Sequence, residues 1–106
     1  MADSDEVTDP AVQNLIAAIN AGDRTAFFAA LTADATMSDD GRDRDLASWA
    51  DHEIFSAQGH LEAVSASDGG RSLIADYRNE RWGQMRTRWA FTVTGDKISR
   101  FETGQA

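Results

Sequence analysis

The sequence predicts a single α+β domain in which three helical segments precede a meander of antiparallel strands. Residues 85–93 alternate between apolar and polar side chains, which is the period of a strand with one buried face. Gly95-Asp96 then supplies a tight turn into another strand, residues 98–103. Earlier in the chain, apolar residues recur at helical spacing instead. A chain of 106 residues accommodates one such domain.

The first two helices have recognisable boundaries. Asp9 is a suitable N-cap, and Pro10 follows it at the position where its missing N–H costs least. Gly22 ends this helix, and Asp23 can cap the second one after a very short linker. The predicted buried residues of the two helices are Val12, Leu15, Ile16, Ile19, Phe27, Phe28 and Leu31.

A third helix follows a possible short strand at residues 35–38 and a turn at Asp39-Asp40-Gly41. Either Asp43 or Asp45 can cap this helix, and Gly59 ends it. One face carries Leu46, Trp49, Ala50 and Glu53, with Ile54 at its edge.

Residues 60–67 and 71–79 are predicted to form a hairpin through Asp68-Gly69-Gly70. On the strand at 71–79, one face carries Leu73, Ala75, Tyr77 and Asn79. The strand at 84–94 places Met85, Thr87, Trp89, Phe91 and Val93 on the same side. The opposite face is charged, and Asp76 can offset Arg86 and Arg88 there. We therefore expect the helices to cover the aromatic face.

Composition excludes several classes of function. The net charge of −8 disfavours binding to nucleic acid and to anionic membranes. The chain has no cysteine, so neither disulfides nor cysteine-based metal sites can form. Residues 1–8 are acidic and unpatterned, which predicts a disordered tail ahead of one domain at 9–106. With no apolar run or signal-peptide pattern in this sequence, we expect a cytoplasmic protein.

Several segments together resemble small bacterial members of the NTF2-like superfamily, in particular its SnoaL-like branch. The segments that carry the resemblance are residues 21–23, 31–35, 49, 54–55 and 89–98. It implies a cystatin-like cone, in which a curved antiparallel sheet wraps around helices and encloses an apolar pocket. Proteins of this kind include isomerases, cyclases, dehydratases, epoxide hydrolases and carrier-type binders. Many dimerise through the outer face of the sheet.

The resemblance implies a pocket for a small apolar ligand, with no cofactor. The side chains that we expect to line this pocket are Phe28, Met37, Trp49, Glu53, Tyr77 and Trp89. Aromatic residues at these spacings also suit a plain core, and in a cone the same residues serve as core at one end and as pocket wall at the other.

Glu53 is the best candidate for a catalytic residue. A carboxylate inside an apolar pocket is harder to ionise, which suits a general acid or base near neutral pH. Alternatively, the helix ends early and Glu53 points to solvent, which we take as the default. Tyr77 and Asn79 could act beside it as oxyanion donors in an isomerase, lyase or cyclase acting on an apolar carbonyl compound. Alternatively, Tyr77 is a core aromatic whose hydroxyl binds the backbone.

Two further features concern metals and partners. His52 and His60 lie near Glu53, but their spacing matches no metal motif, so no metal site is predicted. Ile74 and Phe101 are apolar residues assigned to the outer sheet face. Either a bulge turns them inward or they belong to a subunit interface. In view of the resemblance we expect a homodimer interface formed by Ile74, Arg86, Arg88 and Phe101.

Overall fold

A computed structural model describes residues 7–81 and 83–106 of the chain. Its helices are α1 (Pro10–Ala21), α2 (Arg24–Ala29) and α3 (Leu46–Ala50), which continues directly into a π-helical turn at Asp51–Phe55. Its strands are β1 (Leu31–Asp39), β2 (Arg42–Arg44), β3 (His60–Ser67), β4 (Ser72–Asn79), β5 (Gly83–Thr94) and β6 (Lys97–Gln105).

In the described ranges the strands form one six-stranded sheet in the order β2-β1-β6-β5-β4-β3. Neighbouring strands run antiparallel except for β1 and β6, which are parallel. The α+β class is confirmed. The expectation of three N-terminal helices is confirmed only in part, because α3 follows the β1–β2 hairpin.

The helix starts follow the predicted capping chemistry. Asp9 accepts a hydrogen bond from the Ala11 N–H at 2.9 Å, and Asp23 accepts one from the Ala26 N–H at 3.0 Å. Of the two candidates for the third cap, Asp45 is the one used, with its carboxylate 3.1 Å from the Ser48 nitrogen. Local sequence therefore positions all three helix starts.

Strand β1 corrects the prediction of a short strand at 35–38. It begins at Leu31, which we expected on the buried side of the second helix, and its partner is the distant strand β6. The turn after it leads into β2, which was not predicted. The parallel partner of β1 lies 60 or more residues away in the sequence. The residues around β1 therefore carry no local pattern that indicates how far the strand extends.

The assignment of Phe101 to the outer face was wrong, because a bulge changes the register within β6. Thr92 pairs with Arg100 whereas Val93 pairs with Ile98, so Ser99 has no partner of its own across β5. The extra residue turns Phe101 inward, where it is fully buried opposite Phe91. The bulge alternative therefore holds for Phe101. Ile74 is half-buried, between the inward-facing Leu73 and Ala75.

Of the predicted tail at residues 1–8, residues 1–6 lie outside the described residues. Its last two residues contact the domain: Val7 packs against the core, and the Thr8 N–H donates to the Gly69 carbonyl at 2.9 Å. A Cβ at Gly70 would come within 3.2 Å of the Val7 backbone. The β3–β4 turn therefore holds the segment that precedes α1.

The helices cover the inner, aromatic face of the sheet, as expected. Asn20 fixes α1 to β3, since its side-chain amide donates to the Leu61 carbonyl and accepts from the Leu61 N–H, at 2.9 and 2.7 Å. The core residues buried to below 2% exposure include Val12, Leu15, Ile19, Phe27, Met37, Ile54, Leu61, Leu73, Ile98 and Phe101. Among the described residues, no helix is long and apolar enough to cross a bilayer.

Candidate functional site

A cavity of about 310 Å³ opens between the π-helical turn, the β1–β2 hairpin and the inner face of β4, β5 and β6. We call it the Trp49–Trp89 cavity. It is lined by Asp39, Asp40, Arg44, Trp49, Glu53, Tyr77, Met85, Thr87, Trp89, Thr103, Gly104 and Gln105.

Three aromatic rings form the apolar wall of the cavity. Trp49 and Trp89 meet edge to face, with ring centroids 6.3 Å apart and planes at 72°. The Tyr77 ring lies 6.1 Å from that of Trp89. Each indole N–H has a hydrogen-bond partner: Trp49 donates to Asp39 Oδ2 at 3.0 Å, and Trp89 donates to Thr87 Oγ1 at 2.8 Å. These bonds hold both indoles in place.

The π-helical turn brings Glu53 to the cavity. Its wider winding is seen in the hydrogen bonds from the Ser56 N–H to the Asp51 carbonyl at 2.8 Å and from the Gly59 N–H to the Ile54 carbonyl at 2.7 Å. The backbone carbonyl of Glu53 accepts hydrogen bonds from the Tyr77 hydroxyl and from Asn79 Nδ2. The turn is thereby attached to β4, and Glu53 is half-buried at the cavity wall.

The position of Tyr77 changes the acidity of its phenol. Burial is the main cause, and it raises the pKa of Tyr77 to about 12. The negative charge of Glu53 acts in the same direction, while the Asn79 amide opposes both. Tyr77 therefore stays neutral over the physiological range and acts as a hydrogen-bond donor to the turn.

Comparison with known proteins gives matches to solved structures only: no protein-family model matches the chain, and no curated protein does. A Cytophaga hutchinsonii NTF2-like protein of unknown function superposes with a TM-score of 0.75 at 13% identity, covering 96% of this chain and 92% of its own. This chain has the NTF2-like fold.

Two further solved structures are similar to this chain. A Sinorhizobium meliloti protein, provisionally assigned as a polyketide cyclase, gives a TM-score of 0.70 at 19% identity, covering 89% of this chain and 94% of its own. A Catenulispora acidiphila protein with a ketosteroid isomerase-like fold, solved with trimethylamine, gives 0.71 at 19% identity, with coverages of 91% and 85%. At these identities the likeness shows the fold alone.

The NTF2-like cone brings together four of the six side chains that we expected around a pocket, namely Trp49, Glu53, Tyr77 and Trp89. The other two lie elsewhere. Met37 is fully buried in the solid core under β1. Phe28 is half-buried on α2, with the Arg24 guanidinium 4.7 Å above its ring. Neither side chain lines the Trp49–Trp89 cavity.

The proposed oxyanion donors bond to the protein itself. The Tyr77 hydroxyl and the Asn79 amide both donate to the Glu53 carbonyl, which matches the alternative of a core tyrosine with a backbone partner. Glu53, in contrast, lines the cavity and does not follow the solvent-facing default.

Sequence reasoning missed the polar rim of the cavity. Asp39, Asp40 and Arg44 come from the β1–β2 hairpin, and Gln105 comes from the end of β6. Asp39-Asp40-Gly41 was interpreted only as a turn, because β2 is three residues long and carries no apolar pattern. A prediction of a hairpin at 36–44 would have placed these charged residues beside Trp49.

A larger groove of about 780 Å³ runs from the end of α1 to the beginning of β5, and its lining includes Asn20, Phe55, His60, Arg78 and Gln84. It is more open than the Trp49–Trp89 cavity and contains none of the aromatic wall. His52 is exposed and His60 borders this groove. Within 7–81 and 83–106, no group of three or more His, Asp or Glu side chains is arranged to hold a metal ion.

Proposed function

We propose that this protein binds a small, largely apolar ligand in the Trp49–Trp89 cavity. The observation that carries the proposal is a cavity of about 310 Å³ walled by three aromatic rings whose polar atoms are already hydrogen-bonded to the protein. Ligand sites typically begin at about 300 Å³ and combine apolar walls with a few polar groups.

A structural relative with a bound molecule supports the proposal. The Catenulispora acidiphila protein of the same fold was solved with trimethylamine, a small organic compound. The fold therefore accommodates small molecules in at least one protein with a similar backbone. In the present chain, the aromatic wall and the half-buried Glu53 border the space that we propose for such a molecule.

Native mass spectrometry of gently purified protein tests the proposal. We expect wild type to retain an added mass below about 300 Da, since a ligand must fit the cavity. Trp49→Ala removes one wall and should lose that mass. Phe28→Ala is the matched control, because it also truncates a half-buried aromatic ring but lies outside the cavity. Equal retention by the two variants, or a bare wild-type protein that also fails to bind added hydrophobic probes, would contradict the proposal.

The second candidate is proton transfer by Glu53 on an apolar carbonyl compound, as in an isomerase, lyase or cyclase. It is favoured by the π-helical turn, a feature that often occurs at functional sites, which carries Glu53 to the cavity. Tyr77 and Asn79 then act as positioning residues for the turn and do not touch the substrate.

Deuterium exchange tests this second candidate. In D₂O, a carboxylate that removes the α-proton of a cyclic ketone and returns a deuteron gives labelled ketone, which NMR detects. We expect wild type to accelerate the exchange and Glu53→Gln to abolish the acceleration, with Glu62→Gln, an exposed β3 residue, as control. If wild type and Glu53→Gln exchange the ketone at one rate, Glu53 is not a general base.

We also propose a homodimer through the outer sheet face, on the strength of the resemblance. Ile74 is half-buried there, and Arg86 and Arg88 are exposed on the adjacent strand. Arg86 pairs with Asp76 of the neighbouring strand at 2.9 Å on this face. Phe101 takes no part. Native mass spectrometry should show a dimer that Ile74→Glu dissociates, whereas a monomeric wild type would refute it.

A further inference from the structure

The Trp49–Trp89 cavity combines its aromatic wall with an excess of negative charge at its rim. Two residues bring carboxylates to the inner side, namely Asp39 and Glu53, whereas one, Arg44, carries a guanidinium. We propose that the ligand of this cavity bears a positively charged amine or quaternary ammonium group. This inference rests on the proposed function and specifies the class of ligand.

The carboxylate of Asp39 is held against the aromatic wall. Its Oδ2 accepts the indole N–H of Trp49 at 3.0 Å, and the residue is half-buried. A carboxylate fixed beside an indole places negative charge next to an electron-rich ring. An ammonium group over the face of the Trp49 ring and near the carboxylate at its edge is attracted by both, since the ring face attracts cations through its quadrupole.

Glu53 brings a second negative charge to the same aromatic wall. It follows Trp49 in the sequence, whereas Asp39 precedes it. Its charge is close enough to the Tyr77 phenol to help raise the pKa of that group, after the larger effect of burial. Because Glu53 is half-buried, its charge is screened less than that of a fully exposed residue.

Asp40 is fixed at the rim by the backbone of β6. Its Oδ1 accepts the Gln105 N–H at 3.1 Å, and its own N–H donates to the Thr103 carbonyl at 2.9 Å. A Cβ at Gly104 would stand 2.6 Å from that same Oδ1 and 3.1 Å from a guanidinium nitrogen of Arg88, the residue paired with Gly104, so the Asp40 carboxylate lies on the outer side of the strand. The negative charge that a ligand meets in the cavity therefore comes from Asp39 and Glu53.

The charge balance opposes an anionic ligand. Such a ligand would meet the carboxylates of Asp39 and Glu53 and a molecule whose net charge is −8. Arg44 is an exposed residue on the edge strand β2, where solvent and salt weaken its attraction for an anion. The overall charge also raises the local concentration of cations and their rate of association.

Isothermal titration calorimetry with three probes of similar shape tests the proposal. The probes are phenyltrimethylammonium, its neutral carbon isostere tert-butylbenzene, and the anion 4-tert-butylbenzoate. We expect the cation to bind about tenfold more tightly than the neutral isostere, which corresponds to about 1.4 kcal/mol, and the anion to bind most weakly.

Variants separate a local effect from the overall charge. Asp39→Asn and Glu53→Gln should each weaken cation binding by about 3- to 10-fold, as expected for loss of a nearby charge, and leave tert-butylbenzene unchanged. Asp39→Asn retains an oxygen acceptor for the Trp49 N–H. The matched control is Asp96→Asn, which makes the same charge change in the exposed β5–β6 turn and should leave all three affinities unaltered.

The outcomes distinguish this inference from the proposed function. If tert-butylbenzene binds as tightly as the cation, the cavity takes apolar ligands and the inference is overturned. It is also overturned if Asp96→Asn weakens cation binding as much as Asp39→Asn and Glu53→Gln do, because overall charge then explains the preference. If none of the probes binds, the proposed function fails as well.

Discussion

Tyr77 connects the sheet to the π-helical turn through one hydrogen bond, from its hydroxyl to the Glu53 carbonyl. Asn79, two residues along the same strand face, donates to that carbonyl at 3.0 Å. Both donors act on the backbone that carries Glu53, so they set where this carboxylate stands in the cavity. Their effect on a ligand is indirect.

The acidity of Tyr77 can be measured directly, because it is the only tyrosine in the chain. We expect ultraviolet titration at the tyrosinate band to give a pKa of about 12 in the folded protein, above the usual value of 10.0, since burial disfavours the charged phenolate. A pKa near 10 would mean that the phenol is open to solvent and not bonded to the turn.

The same shift predicts a loss of stability at high pH. Tyr77 has a higher pKa in the folded state than in the unfolded state. The stabilisation from its neutral phenol is therefore complete below pH 10.0 and is lost as the pH rises toward about 12. The free energy of unfolding falls by at most about 2–3 kcal/mol, because each pKa unit corresponds to about 1.4 kcal/mol. Urea unfolding at pH 9 to 11.5 measures it, and Tyr77→Phe should make the free energy of unfolding less dependent on pH over that interval.

Gly59 is required at the end of the π-helical turn because a side chain there has no room. A Cβ would overlap the Tyr77 hydroxyl and lie 3.1 Å from the Ile54 Cα. We expect Gly59→Ala to lower the free energy of unfolding by about 2–3 kcal/mol, as overpacking of a core does. Urea unfolding monitored by circular dichroism measures the loss.

A double-mutant cycle identifies the cause of that loss. Tyr77→Phe removes the hydroxyl, so Gly59→Ala should cost about 1 kcal/mol less in that background. Gly95→Ala, in the open β5–β6 turn, is the control, and its effect should add to that of Tyr77→Phe. Equal additivity for both glycines would show that the Tyr77 hydroxyl does not confine Gly59.

Single residues were predictable where one local property decided their position. Trp49, Tyr77 and Trp89 follow helical or strand periodicity, and all three reach the cavity. The position of Glu53 depended on where the third helix ends. Its π-helical continuation arises from contacts with Tyr77 and Asn79 on a distant strand, which no local pattern records.

At the scale of elements, short helices depend on their ends. Asp9 caps α1 through the Ala11 N–H and also pairs with Arg71 at 2.8 Å, beyond the β3–β4 turn. Burial raises the pKa of Asp9, but the hydrogen bonds from Arg71 and Ala11 outweigh it and lower the pKa below its usual value. One carboxylate thus joins the first helix to a hairpin 62 residues away.

We expect Asp9→Ala to lower the free energy of unfolding at pH 7 by about 1–2 kcal/mol, the usual range for loss of an N-cap. Asp9→Asn retains a capping oxygen and should cost less. Because Asp9 has a lower pKa in the folded state, the stabilisation that depends on its charge is present above pH 3.8. It is lost as the pH falls through the pKa of Asp9 in the folded state. Urea unfolding at pH 7 and pH 3 measures both, with Asp96→Ala as an exposed control. A loss in Asp9→Ala that matches the control would contradict the capping role.

Elements were predictable where turn chemistry and periodicity agreed. The β3–β4 and β5–β6 hairpins have glycine-containing turns and alternating strands, and both occur within two residues of their predicted bounds. The cases that failed depend on pairing between distant segments. The full length of β1 requires β6, and the inward turn of Phe101 requires an extra residue at Ser99 that becomes visible only against β5.

For the whole molecule, repulsion among the acidic side chains is the main effect on stability that the sequence indicates. The chain has 18 acidic and 10 basic residues, and the ion pairs in the described residues lie mostly at the surface. Surface pairs contribute little each, so they do not compensate for a net charge of −8.

We therefore expect potassium chloride to stabilise the protein, because salt screens the excess of like charges. The melting temperature should rise by about 2–5 °C between low and physiological ionic strength, equivalent to somewhat under 1 kcal/mol. Differential scanning fluorimetry measures it, and sucrose at matched osmolality controls for general solvent effects. A melting temperature that falls with salt would show that attractive ion pairs outweigh the repulsion.

Strand β6 lies between β1 and β5, although it follows the other five described strands along the chain. On the ribosome, α1, α2 and the β1–β2 hairpin emerge first, yet the edge of β1 that faces the sheet has no partner until Lys97–Gln105 has left the exit tunnel. The β3–β4–β5 meander can assemble meanwhile, because its pairings are between consecutive strands. Closure of the cone therefore waits for β6 to emerge, and the nascent chain exposes its aromatic face until then.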